Sequence, residues 1–348
     1  MASKKVVQLA VARHAMATRF EIVLHGQDQV ALRAAGEEAL DEIERLENQL
    51  SLYRQTSEVA QLNARASNES VRVEPGLFRL LRHAQRLFLE TEGAFDITIG
   101  PLMKCWGFMG QNGRVPTPHA LRTARAQVGM RHVALNPDNF TVRFKRPGMM
   151  LDLGAIGKGY AVERAAQLLR EAGVSSALLH GGTSTIYALG HPPGEKAWKV
   201  AVEYPGATED APPILLAVVP LTDEALSISA VWGKSFQTAG KTYGHVIDPR
   251  TGRPASKAVL AAAVLPSATE SDAFSTALLN VGSLGHDQIA RLRPDMRTLV
   301  LEPGERGFRL KTRRIATSGF AGGLEFGHFC EDIPGELSLK TWGWRPAL

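Results

Sequence analysis

The chain has 348 residues, 44% of them apolar and 22% charged, with 33 Gly, 19 Pro and two Cys. That profile belongs to a globular protein with a sizeable core and excludes disordered, collagen-like and disulfide-scaffold classes. The 40 basic and 35 acidic residues leave a net charge of +5, too mild and too scattered to require nucleic acid.

No stretch reaches the ~20 uninterrupted apolar residues of a membrane-spanning helix. Cys105 and Cys330 are too far apart for a CxxC metal or redox motif. The N-terminal MASKKVVQLAVARHAMATRF is broken by Gln8, Arg13 and His14, so it lacks a leader-type apolar region, and the expected location is cytoplasmic. Residues 19–25 alternate as a strand, and 28–50 place Leu40, Ile43, Leu46 and Leu50 at helical spacing. A second helix follows Pro75-Gly76, and a third runs from Lys158 to Ala172 and stops at Gly173. Short β-like runs follow at 175–180, 184–190, 198–203, 214–220, 225–230, 243–247 and 259–264. A helix near 270–282 interrupts them, with strands again at 297–302 and 308–312. Pro192-Pro193 and 205–213 read as loops. The pattern predicts a mixed α+β fold rather than a regular βαβ alternation.

Four segments carry chemistry. In 151–160, LDLGAIGKGY, Gly154, Gly157 and Gly159 allow close backbone approach and Lys158 sits beside a helix N-terminus. This is either an anion cradle or a purely structural turn. His180-Gly181-Gly182-Thr183 closes a strand and offers backbone amides or a simple bulge. In 243–254, YGHVIDPRTGRP, His245, Asp248, Arg250 and Thr251 crowd proton- and phosphate-handling groups into a segment that also reads as turn punctuation. In 268–279, Asp272 and Thr276 share a helix face at i and i+4, a pair of hard oxygens suited to Mg²⁺. Thr269-x-x-Asp272 reads equally well as a capping box. Nearer the N-terminus, Tyr53, Phe95, Trp106 and Phe108 lie among small and polar residues beside Asp96 and Gly100-Pro101, an arrangement able to clamp a flat heteroaromatic ring.

Taken in order, these segments resemble the ApbE-like family of FAD:protein FMN transferases. The resemblance rests on Met16-Ala17-Thr18, the 51–63 segment SLYRQTSEVAQLN, GAFDITIGPLMKCWGF, DLGAIGKGYAVERA, HVIDPRTG and SDAFSTAL. It implies a single composite α+β domain over residues 1–348, with recognisable motifs in 16–282. It also implies Mg²⁺-dependent transfer of the FMN moiety of FAD to a Thr or Ser hydroxyl of a target flavoprotein, with release of AMP. The implied metal ligands are Asp272, Thr276 and the carbonyl of Ala155. The implied FAD-binding residues are Met16, Tyr53, Asp96, Trp106, Lys158, Gly182, Ser229 and His245. The acceptor hydroxyl also needs a base, and the catalytic candidates are His245 and the metal-linked carboxylate Asp272, with Asp272 favoured as primarily a metal ligand. The expected partners are FAD and the acceptor flavoprotein, without nucleic acid or a membrane span.

The chain departs from the family pattern at three places. Ile228-Ser229-Ala230 stands where Thr-Ser-Gly is usual, Thr183 stands where an acidic residue is usual, and Met16-Ala17-Thr18 replaces Met-Gly-Thr. These departures keep two alternatives in view: an FAD pyrophosphatase that uses water as the acceptor, and a flavin-binding protein without turnover.

Overall fold

The computed structural model describes residues 6–110, 112–204, 213–305 and 307–317. Cys330 and most of the expected 205–213 loop fall outside them. The chain opens with the hairpin β1 (Val7–Ala15) and β2 (Thr18–Gly26). Ala15 pairs with Thr18, so Met16 and Ala17 alone make the turn, both with positive φ, 49° and 59°. That geometry matches the right-handed twist of the strands. The segment expected only to exclude a leader is therefore a full edge strand.

Helix α1 (Gln29–Leu50) follows, its first turn capped by the Asp28 carboxylate, which accepts from the amides of Val30 and Ala31. Next come α2 (Glu58–Arg65), β3 (Val71–Arg72), α3 (Pro75–Glu90), α4 (Gly100–Cys105), α5 (Pro118–Ala126), β4 (Val133–Asn136) and β5 (Thr141–Phe144). Of these, sequence periodicity reveals only α3, the longest and most regular. Then follow α6 (Gly157–Glu171), β6 (Ala177–Gly181), β7 (Thr185–Leu189), β8 (Trp198–Tyr204), β9 (Ile214–Leu221) and β10 (Glu224–Ala230). The predicted 243–247 strand is divided between β12 and β13 in the run β11 (Ser235–Thr238), β12 (Lys241–Gly244), β13 (Ile247–Asp248) and β14 (Arg253–Pro254). The last described elements are β15 (Leu260–Leu265), α7 (Ala268–Ala290), β16 (Arg297–Gly304) and β17 (Gly307–Arg313). Helix α7 outruns the expected 270–282 because it continues past a non-helical residue, Gly282.

Eight strands form one antiparallel sheet in the order β1-β2-β6-β7-β10-β15-β16-β17. Both faces are covered. Helices α1, α6 and α7 pack against one face, and the β8–β9 hairpin lies against the other. Strand β15 shows the consequence in its sequence, LAAAVL. Ala261, Ala263 and Leu265 join the helix-side core, while Leu260, Ala262 and Val264 join the hairpin-side core. With successive side chains pointing to opposite buried faces, the strand loses the apolar–polar alternation of a half-exposed strand. A third, smaller core forms where Trp106, Phe108 and Met103 meet Ile247. A three-stranded sheet, β3-β5-β4, shares the helix-side core with α2 and α3.

Candidate active site

A cavity of about 1070 Å³ opens between the helical layer, the sheet and the β8–β9 hairpin. Its size is at the upper end of ligand sites, enough for an extended dinucleotide rather than a single ring. Its wall draws on residues from Glu21 in β2 to Asn280 in α7.

Two helices set its polar centre. Helix α7 begins at Ser267, whose hydroxyl accepts from the Glu270 amide at 3.2 Å. The Glu163 carboxylate accepts from Ser267 Oγ at 2.6 Å and from the Thr269 amide at 2.9 Å. These contacts cap the helix, so the Thr269-x-x-Asp272 capping box does not form and Asp272 is free of that duty. Instead Asp272 Oδ2 accepts from the Gly159 amide in the first turn of α6 at 2.9 Å, an N–H that the helix itself leaves without a partner. Gly159 is required there. A Cβ would stand 2.2 Å from the Ala268 carbonyl oxygen and 2.7 Å from Asp272 Cβ.

Asp272 is only 4% exposed, and among the described residues no donor reaches its Oδ1 and no cation pairs with it within ion-pair distance. Burial pushes its pKa up, opposed by the Lys158 charge and the Gly159 amide. Asp152 is raised in the same way by burial, against the Gly154 amide, which donates to its Oδ1 at 2.9 Å, and the charges of Lys158 and Lys234. One turn along α7, Thr276 Oγ1 lies 3.1 Å from Ser229 Oγ, which is 2.8 Å from Ser275 Oγ. Thus Ser229 of β10 orients the hydroxyl that sits beside the carboxylate. Asp272, Thr276 and Ala155 line the same cavity. A desolvated carboxylate, a hydroxyl and a main-chain carbonyl are an all-oxygen donor set that suits a hard divalent cation completing its shell with phosphate and water. Among the described residues no group of three His, Cys, Asp or Glu side chains is placed to hold a metal.

His245 lies on the wall with its Nδ1 3.1 Å from the Lys234 carbonyl. A carbonyl only accepts, so Nδ1 carries the proton and Nε2 keeps its lone pair. Burial, with Lys158 and Lys234 adding to it, pushes the imidazole pKa down against the pull of that carbonyl. The ring is therefore neutral at pH 7 and able to accept a proton. Asp96 is 6% exposed. Burial lifts it to about 6, opposed by the hydroxyl and amide of Thr98, which donate to its Oδ1 at 2.6 and 2.8 Å.

The profile of the ApbE family matches residues 16–300. The chain belongs to the ApbE family. It is 30% identical over 302 residues to a Klebsiella pneumoniae protein named FAD:protein FMN transferase, covering 84% of each chain. A Treponema pallidum protein of the same name is 32% identical over 289 residues, 79% of each. Among solved structures, the apo flavinyl transferase ApbE of Pseudomonas stutzeri superposes with a TM-score of 0.78 at 25% identity, covering 89% of this chain and 95% of that one. The ApbE protein of Thermotoga maritima gives 0.77 at 27% identity, covering 84% and 94%. The α+β architecture is shared across these ApbE structures.

In this ApbE chain, Tyr53, Asp96, Ala155, Lys158, Gly182, Ser229, His245, Asp272 and Thr276 all line the one cavity. Gly182 does so at φ +66°, where a Cβ would meet Thr18 Oγ1 at 2.4 Å. Met16 and Trp106 are not on its wall. Met16 occupies the β1–β2 turn and packs partly buried against the core. Trp106 is 3% exposed in the third core and donates its indole N–H to the Gly252 carbonyl at 2.8 Å. It thereby ties the aromatic segment to the 248–252 turn behind the cavity. Asp248 and Arg250 neutralise one another through paired contacts of 2.9 and 2.8 Å, which settles that segment's charged pair as turn structure. Of the departures from the family pattern, Thr183, Ile228 and Ala230 also line the cavity, whereas Ala17 stands in the β1–β2 turn and not on its wall. Residues not singled out by sequence reasoning join them: Asp152, Lys234, Glu21 and Asn280. Asp152 opens the DLGAIGKG segment and was within reach of that reading. Lys234 and Glu21 carried no local signal, because only the fold turns them toward the others.

Proposed function

We propose that this chain transfers the FMN moiety of FAD to a Thr or Ser hydroxyl of a target protein and releases AMP, with Mg²⁺ held by Asp272, Thr276 and the Ala155 carbonyl. The observation that carries the reading is the buried Asp272 carboxylate, without an ion-pair partner among the described residues, beside an oriented hydroxyl in a dinucleotide-sized cavity of an ApbE chain. The names of the relatives agree with it.

When bound, Mg²⁺ supplies Lewis-acid neutralisation of the pyrophosphate. Lys158 and Lys234 add fixed positive charge on the same wall, which favours a dianionic ligand. The acceptor oxygen forms a bond to the phosphorus of the FMN half, and the bond to the AMP oxygen breaks, so AMP leaves with the electron pair. His245 Nε2 takes the proton of the acceptor hydroxyl. Its fixed tautomer and lowered pKa support that role.

The test is incubation with FAD, Mg²⁺ and a flavoprotein bearing an acceptor Thr, followed by mass measurement. A covalent flavin adduct with one AMP per adduct is expected, and Asp272→Asn lowers the rate about 10²-fold or more. No adduct and no AMP across several acceptors overturns the proposal. AMP and free FMN without any acceptor would instead assign hydrolysis to the cavity, and tight FAD binding with neither product would assign binding alone.

A further inference from the structure

Among the described residues, three buried side-chain polar atoms have no hydrogen-bond partner: His132 Nε2, Thr269 Oγ1 and Asn280 Oδ1. Of their residues, only Asn280 lies on the wall of the large cavity. It is 2% exposed and held on two sides. Its Nδ2 donates to the Ala94 carbonyl at 2.9 Å, and its own backbone carbonyl accepts from Arg250 Nη2 at 3.1 Å. Because the Ala94 carbonyl only accepts, the amide cannot be flipped, and Oδ1 is the end left over. A buried acceptor without a donor destabilises the free protein, and a ligand that brings the missing donor relieves this on binding. Nearby, Ala94 and Asp96 continue the same wall. Asp96 accepts from Thr98 through its Oδ1 and, when ionised, has no proton to give, and among the described residues it makes no hydrogen bond to Asn280.

We propose that Asn280 Oδ1 accepts a hydrogen bond from a ring-edge N–H of the bound dinucleotide, making Asn280 a specificity-determining residue of the cavity. The inference rests on the reading of the cavity as an FAD site. FAD carries such N–H groups at two places, the imide N3–H of the isoalloxazine and the 6-amino group of the adenine. Both present an N–H at the edge of a flat ring, the chemistry that an amide oxygen selects, and a site built to receive an N–H discriminates against analogues that lack it.

The experiment measures equilibrium binding of FAD, 3-methyl-FAD and 6-deamino-FAD to the parent chain and to Asn280→Leu, with thermal melts as a check on folding. Asn280→Ala gives the same comparison without a branched side chain if the Leu variant does not fold. The expected result is that the substitution weakens FAD binding about 3- to 12-fold. It causes no further loss for the one analogue whose missing N–H is the one Asn280 receives, which also identifies the ring. Equal weakening of all three ligands reveals a purely structural role through Ala94 and overturns the proposal, as does no weakening at all. Failure of the parent chain to bind FAD overturns this inference and the FMN-transfer reading together, whereas a flat comparison with FAD bound overturns this inference alone.

Discussion

Asp96 and Asp272 are both buried carboxyls on one cavity wall, yet their surroundings give them different tasks. Asp96 is supplied with donors by Thr98 and still rises to about 6. The sign of its effect on stability follows. A carboxyl whose pKa is higher in the fold than its ordinary 3.8 costs nothing when protonated in both states and weakens the fold when ionised. The penalty is absent below 3.8, grows between 3.8 and about 6, and is complete above that. Moving a carboxyl across that interval corresponds to about 3 kcal/mol. Urea unfolding of Asp96→Asn and the parent, compared below and above this window, is therefore expected to shift the stability difference toward the variant by up to about 3 kcal/mol as pH rises. A pH-independent difference would show that the carboxyl is not desolvated. Asp272 has one oxygen held by Gly159 and lies one helical turn from the Thr276 hydroxyl on the same cavity wall, which is why it and not Asp96 is proposed for the metal role.

At the scale of elements, the contact between α6 and α7 joins two segments 113 residues apart in sequence, Gly159 and Asp272. The spacing of DLGAIGKGY showed that its glycines admit close approach. It did not show that the third of them admits another helix rather than a ligand. Gly159→Ala is expected to destabilise the fold by roughly 1–3 kcal/mol, as overpacking does. Since the clash falls on Ala268 and on Asp272 itself, activity should fall more than the loss of folded protein explains. Retained turnover per folded molecule, measured by active-site titration beside a thermal melt, would sever that link. The β1–β2 turn is a second element-level effect. Ala17 at φ 59° is strained as an L-residue, and Ala17→Gly is expected to stabilise the hairpin by roughly 1 kcal/mol in thermal unfolding; an unchanged or lowered melting temperature would show that the strain is relieved elsewhere.

For the whole molecule, the sequence made the long helices and most strands of the large sheet legible, because their apolar spacing is regular. It also brought nine of the residues chosen for the site to one cavity. What it could not convey was which face a residue meets once non-local strands pair. Trp106 looked like a ring clamp because aromatics in small-residue loops serve either a ligand or a minor core. The structure assigns it to the core through Gly252. The short elements α2, α4, α5 and β3 to β5 escaped notice because two to nine residues carry too few turns or alternations to show a period. Strand β15 was legible as the run 259–264, but an undivided apolar run does not show which of its side chains meets which core.

The strand order of that sheet also governs time. β2 pairs with β6, and β7 pairs with β10, so successive neighbours wait on long loops before they meet. Such non-local pairing slows folding. The cavity wall spans Glu21 to Asn280, and therefore no early fragment of the chain contains it. In refolding from denaturant, recovery of FAD binding is expected only in the slowest phase, after the far-ultraviolet signal of the local helices has returned. Binding that reappears together with the helices would mean the cavity assembles from fewer segments than its wall contains.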